Sequence, residues 1–312
     1  MNEPPEISQK AKQSLVRRML LDILIFVSAT YLCVCLMLFF LQKNLIYVPR
    51  KSPVSIEESG YQTDRIREVS LEVDKDINLL GWYCTAEAND TSKSNRLAII
   101  FPGNGGNRLN RVKLLQLMNS LGCDALIFDY RSYGGSEGSP SEDTMATDSH
   151  RIWNFAQEEL GYDQQQIIIL GQSLGGGVST RLVSDLCEQG EPPAGFILQA
   201  TFTSLVDAAK HRYPWLPINL LLTERYPSID RIPNVTCPLL FVHGQKDKIV
   251  PFKMGQQLFA AAPETSENGI AKKFIELPEA GHNDIMYVAL AEITKAKRQF
   301  LAEIDRTNKE VE

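Results

Sequence analysis

The sequence predicts an α/β fold, a mostly parallel sheet with helices on both faces, preceded by one amino-terminal transmembrane helix. Three observations predict it. Short continuous apolar runs alternate with stretches of helical period, as strands buried on both faces alternate with crossover helices. One of those runs leads through Gly171-Gln172-Ser173-Leu174-Gly175 directly into a helical stretch. A long apolar run carrying one charge, Asp22, lies near the start of the chain.

Residues 19–41 form that apolar run. At 1.5 Å per residue it reaches roughly 34 Å, enough to cross the hydrocarbon core of a bilayer. The alternative is a buried core helix. Bulky Phe39, Phe40 and Leu41 stand where a cleaved signal peptide would place small residues, so an uncleaved anchor is expected. Lys10, Lys12, Arg17 and Arg18 precede the span, and Lys43, Arg50 and Lys51 follow it. That small bias favours a cytoplasmic amino terminus and a single-pass protein whose domain is non-cytoplasmic. The chain then divides into a tail and anchor over residues 1–42 and one domain over residues 43–312. Pro49 and Pro53 argue against regular structure in the connector, residues 44–60.

Within the domain, residues 69–73 alternate polar and apolar like a half-exposed strand, with residues 77–86 as a hairpin partner. Buried strands are expected at 97–101, 125–128, 167–170, 195–198 and 239–242, and a more polar edge strand at 273–277. Helices are expected at 108–120, 142–159, 175–187, 252–262 and 285–304. In such a sheet the reactive residues belong on loops at the carboxyl ends of strands. Each motif below is judged by that geometry.

The Gly-x-Ser-x-Gly turn forces its middle residue into a strained conformation and needs glycine two positions to either side. It lifts the Ser173 hydroxyl above the sheet. A serine hydroxyl is a weak nucleophile and needs a base within reach, with an acid to orient that base. His282, in Gly281-His282-Asn283-Asp284 after the last strand, meets the geometric requirement. His243, ending a strand, is the rival base. His150 lies within a predicted helix and His211 in the segment after the 195–198 strand. The acid should fall between serine and histidine in chain order, which points to Asp247; Asp284 is expected to cap the final helix. The loop Pro102-Gly103-Asn104-Gly105-Gly106 ends a strand, and backbone N–H groups of Asn104 and Leu174 are the expected oxyanion hole. That loop also mimics a dinucleotide fingerprint. Arg108 stands where the third glycine belongs, and no Gly-Lys-Ser/Thr follows, so nucleotide binding is not expected.

Further motifs accompany these. Asp129-Tyr130-Arg131-Ser132-Tyr133-Gly134-Gly135-Ser136-Glu137-Gly138 follows the 125–128 strand, and Leu45-Ile46-Tyr47-Val48-Pro49 follows the anchor. Together the motifs resemble the α/β-hydrolase superfamily, in particular its membrane-anchored serine aminopeptidase-like and abhydrolase-domain branch. The resemblance runs from about Gln42 to the last helix. It implies a triad of Ser173, Asp247 and His282, with Asp129 and Arg131 as a structural ion pair and turn scaffold rather than catalytic groups. Pro102 replaces a histidine common in relatives, and Gln172 an arginine or histidine, which bears on substrate more than on catalytic class.

Residues 205–232 occupy the position of a small lid. Trp215, Leu216 and Leu220 are the candidate substrate contacts, and an apolar lid suits an acyl chain. Ordinary packing of a short helix is the equal alternative. The expected function is a membrane-anchored serine hydrolase cleaving carboxylic esters or thioesters of hydrophobic acyl groups, small acyl esters or lipid-like molecules. A serine peptidase on the same site and a non-catalytic membrane scaffold are the alternatives. A net charge of -6 without a concentrated basic patch argues against nucleic acid. Four His and six Cys leave little material for a metal centre, and no cofactor is expected. Cys84, Cys123, Cys187 and Cys237 show no paired spacing and are expected as free thiols.

Overall fold

The computed structural model describes residues 9–61, 64–86 and 95–311. The first eight residues of the expected tail lie outside them. The helices are α1 (Gln9–Ile46), α2 (Val112–Ser120), α3 (Glu142–Glu158), α4 (Leu174–Glu188), α5 (Leu205–Arg212), α6 (Ile218–Leu221), α7 (Ser228–Arg231), α8 (Phe252–Ala261), α9 (Ile285–Val288) and α10 (Leu290–Val311). The strands are β1 (Val48–Pro49), β2 (Ile66–Asp74), β3 (Ile77–Cys84), β4 (Leu97–Phe101), β5 (Gly105–Gly106), β6 (Asp124–Phe128), β7 (Ile167–Gln172), β8 (Gly195–Gln199), β9 (Leu239–Gly244) and β10 (Lys273–Leu277).

Eight strands form one sheet in the order β10-β9-β8-β7-β4-β6-β3-β2. From β10 to β6 all neighbours are parallel, and the β2–β3 hairpin joins β6 antiparallel. The central strands read as unbroken apolar runs because both faces are covered. In β4, Leu97, Ile99 and Phe101 enter the core on one face while Ala98 and Ile100 enter the core on the other. Each fully buried Leu, Ile or Phe of this kind contributes about 1.5–3 kcal/mol. At the sheet edge, β10 is only half-buried, which accounts for its more polar sequence.

Two expected helices are broken. Residues 108–111 form a 3-10 turn before α2, because Asn110 Oδ1 accepts the Asn107 N–H at 3.0 Å and Arg108 is drawn into the interior. The final helix is interrupted at Ala289, between α9 and α10.

Helix α1 runs past the expected span to Ile46 and is long and apolar enough to cross a membrane. Its outward side chains are covered by no other part of the described chain; Phe40 is 76% exposed. The connector after it is more regular than its prolines suggest. β1 pairs parallel with β5, Val48 N–H donating to Asn104 O at 3.1 Å and Arg50 N–H to Gly106 O at 3.0 Å. Pro49 stands between those two donors, where the ladder requires no N–H.

Candidate active site

The turn from β7 into α4 presents Ser173. Its φ of 52° and ψ of -116° are strained for a residue with a side chain, a cost on the order of 1–3 kcal/mol. The surroundings enforce that geometry. Ser173 N–H donates to Gln199 O at 3.0 Å, and Thr201 Oγ1 donates to Ser173 O at 2.9 Å. A Cβ at Gly171 would lie 2.7 Å from Gly176 Cα, and one at Gly175 would overlap the Phe101 carbonyl and stand 2.6 Å from Pro102 O. Both glycines are therefore demanded by backbone approaching backbone, which no side-chain rearrangement relieves.

His282 lies on the loop between β10 and α9. Its Nε2 is 3.0 Å from Ser173 Oγ and its Nδ1 is 2.7 Å from Asp247 Oδ2. Asp247 follows β9, and its Oδ1 accepts the N–H groups of Ile249 and Val250, each at 2.8 Å. Burial pushes the Asp247 carboxyl up. Hydrogen bonds from His243 and His282, with the His282 charge and the Val250 N–H, outweigh burial and hold it well below the usual carboxylate range. The structure thus brings Ser173, His282 and Asp247 into one hydrogen-bonded chain.

The other histidines lie apart from the serine. His243 is buried behind Asp247, with Nε2 2.9 Å from Val250 O and 3.4 Å from the Asp247 carboxylate. His150 pairs with Asp185, and His211 is exposed on α5. Asp284 occupies the position before α9, but its side chain does not cap that helix. Instead Oδ1 accepts the Gly281 N–H at 2.6 Å, which braces the histidine loop.

Asn104 and Leu174 line the pocket beside Ser173. A Cβ built on Gly103 would stand 3.5 Å from Ser173 Cβ, so the loop after β4 lies directly against the serine. Residues to which the sequence assigned no role brace this loop. Tyr130 OH donates to Pro102 O at 2.8 Å, Tyr133 OH to Asn104 O at 2.7 Å, and Arg111 Nη2 to Gly105 O at 2.8 Å. Asp129 and Arg131 are not paired with each other. Asp129 accepts the Arg108 backbone N–H at 2.7 Å and its Nη1 at 2.5 Å. Arg131 turns to α3 and makes two bonds to Asp148, at 2.9 and 2.8 Å. The cause lies in the turn. Asp129 directly follows β6 and faces the loop after β4, and a Cβ at Gly134, with φ of 53°, would overlap that carboxylate.

A pocket of about 540 Å³ opens above Ser173, within the range of small-molecule sites. Trp215 and Leu216 line it; Leu220 does not and is 82% exposed. On the single turn of α6, Ile218 and Leu221 share the inward face with Leu222, which places Leu220 on the opposite side. The wall that the sequence did not reveal comes from α1, where Val34, Leu38, Leu45 and Ile46 face the pocket. Gln42 shares that face and is the one available signal, a polar residue closing an apolar run. Its Nε2 donates to Leu221 O at 3.1 Å, and its Oε1 accepts the Thr223 N–H at 2.8 Å.

Known proteins are similar to this chain in sequence and fold. A family model for the alpha/beta hydrolase fold matches residues 98–225. An uncharacterized protein of Mycobacterium tuberculosis is 35% identical over 262 residues, covering 84% of this chain and 88% of that protein. The lysophosphatidylserine lipase ABHD12 of Danio rerio is 32% identical, over 66% of this chain and 61% of the lipase. An esterase of Pyrococcus furiosus superposes with a TM-score of 0.64 at 16% identity, over 83% of this chain and 97% of the esterase, a likeness of fold alone. With a serine elbow between β7 and α4 of a mostly parallel sheet, and with these relatives, the chain belongs to the α/β-hydrolase superfamily, in its abhydrolase-domain branch.

Proposed function

We propose that this hydrolase is a membrane-anchored serine enzyme that cleaves carboxylic esters or thioesters of hydrophobic acyl groups. The observation that carries the reading is the chain from Ser173 Oγ through His282 to Asp247, at 3.0 and 2.7 Å, at the base of an apolar pocket. Ser173 Oγ attacks the carbonyl carbon while His282 Nε2 takes its proton, and Asp247 holds the imidazole with Nδ1–H toward itself. The backbone N–H groups of Asn104 and Leu174 receive the negative oxygen of the tetrahedral intermediate. His282 then returns the proton to the leaving alkoxide or thiolate. Water attacks the acyl-serine by the reverse sequence, releasing the acid and restoring Ser173. An apolar pocket and lipase relatives favour a lipid-like ester. The α1 helix is the single membrane span, with the catalytic domain on the non-cytoplasmic side.

A fluorophosphonate probe tests the assignment, because it reacts with an activated serine. The full-length protein is expected to label, and Ser173→Ala is expected to lose labelling together with about 10³–10⁴-fold or more in ester hydrolysis. Labelling that persists in Ser173→Ala would sink the reading.

A further inference from the structure

We propose that the pocket opens sideways into the membrane between α1 and the lid formed by α5 and α6, and that α1 binds the acyl chain of a lipid drawn from the bilayer. The inference rests on the hydrolase reading above and adds the route and the chain-binding wall. The pocket that holds Ser173 extends along α1 to Leu38 and Val34. Both residues belong to the apolar run that ends at Leu41, before Gln42 and Lys43. At 1.5 Å per residue, Val34 lies about 10 Å inside the end of that run. A wall of the reaction pocket is therefore also a surface of the membrane span.

The lid descends with it. Tyr31 OH donates to Trp215 O at 2.9 Å, and Gln42 holds Leu221 and Thr223. These two ties bracket the α1 segment that carries Val34 and Leu38. Beside them Trp215 is 59% exposed and Leu220 82% exposed, with Tyr213 nearby. A lid in water would expose this apolar surface at a cost; at a bilayer boundary the same aromatic and leucine side chains are favoured. Lys210, His211 and Arg212 in the last turn of α5 supply basic groups next to that surface, where lipid headgroups lie. An acyl chain already in hydrocarbon can then slide between α1 and the lid without crossing water, bringing its ester to Ser173.

The test uses the full-length protein in phosphatidylcholine vesicles, with oleoyl lysophosphatidylserine as the membrane substrate and 4-nitrophenyl butyrate as the soluble one. Leu38→Trp fills the wall. It is expected to lower the ratio of long-chain to short-chain turnover by about tenfold, equivalent to losing roughly two buried methylenes of the chain. Phe40→Trp, on the outward side of the same helix, is expected to leave the ratio unchanged. An unchanged ratio in Leu38→Trp, with the butyrate still hydrolysed and Ser173 still labelled, overturns the route and leaves the hydrolase reading standing. Failure of Ser173 to label in the unaltered protein overturns both. A second measurement does not depend on folding of the tryptophan variant. A lysophosphatidylserine with a diazirine at its chain end, incubated with Ser173→Ala in vesicles, is expected to cross-link Val34 or Leu38. Cross-links confined to outward residues such as Phe26 and Phe40 would overturn the proposal.

Discussion

Asp247→Asn is nearly isosteric and separates the shape of the site from its chemistry. The asparagine oxygen can still accept the Ile249 and Val250 N–H groups now bonded at 2.8 Å, so the loop after β9 keeps its form. The other terminal atom becomes an NH₂ facing His282 Nδ1 across 2.7 Å, where two donors cannot meet. The imidazole then carries its proton on Nε2, the nitrogen 3.0 Å from Ser173 Oγ, and can no longer accept the serine proton. The expected loss is about 10³–10⁴ in kcat, or roughly 4–5.5 kcal/mol of transition-state stabilisation. The carboxylate also contributes to stability, because its folded-state value is depressed. That contribution is present above the unfolded value near pH ~4 and is lost as pH falls through the folded value. The variant's deficit in Tm should therefore be constant around neutrality and shrink in acid. Hydrolysis of 4-nitrophenyl butyrate and the rate of fluorophosphonate labelling measure the catalytic loss, and thermal melts against pH measure the stability deficit. A variant that keeps kcat within about tenfold of the unaltered protein would refute the role given to Asp247.

Three further outcomes are expected. Gly175→Ala drives a Cβ into the Phe101 carbonyl, so it should lower stability by about 3 kcal/mol and abolish labelling; a normal melt with normal labelling would contradict the account of the elbow. Tyr133→Phe removes the hydroxyl that donates to Asn104 O, and a fall of about tenfold in kcat with unchanged KM is expected if that tyrosine positions the oxyanion loop. Burial holds the Lys297 amine down to about 7, so between there and its unfolded value near pH ~10.4 the unfolded chain binds the extra proton and stability rises with pH. Lys297→Met should be more stable by on the order of 4 kcal/mol at neutral pH, an advantage that disappears above about pH 10, as read by denaturant melts at several pH values.

Much of this was legible along the chain. The apolar runs of β4, β6, β7, β8 and β9 announce strands covered on both faces, because such strands have no solvent side on which to place polar residues. Ser173 was legible because Gly171 and Gly175 are required by backbone contacts that only one kind of turn creates. Asp247 and His282 followed from chain order and from loops at strand ends. The roles of Asp129 and Arg131 were not legible. Two oppositely charged residues two positions apart suggest a pair, whereas the turn aims Asp129 at Arg108 and Arg131 at Asp148. Leu220 was misjudged for a related reason. Its composition suits a lid, but the single turn of α6 sets which leucines face inward.

The sequence by itself determined the fold class, the elbow and the candidate triad, since the first two are written in local spacing and backbone requirements and the third in chain order and in loops at strand ends. Only the tertiary structure decided that α1 walls the pocket and that β1, just after it, pairs with β5 in the loop after β4. An apolar side chain that faces lipid and one that faces a bound acyl chain satisfy the same physical chemistry. No residue-by-residue pattern separates Val34 and Leu38 from the rest of the apolar run until the segment carrying Trp215 and Leu221 packs against one side of the helix.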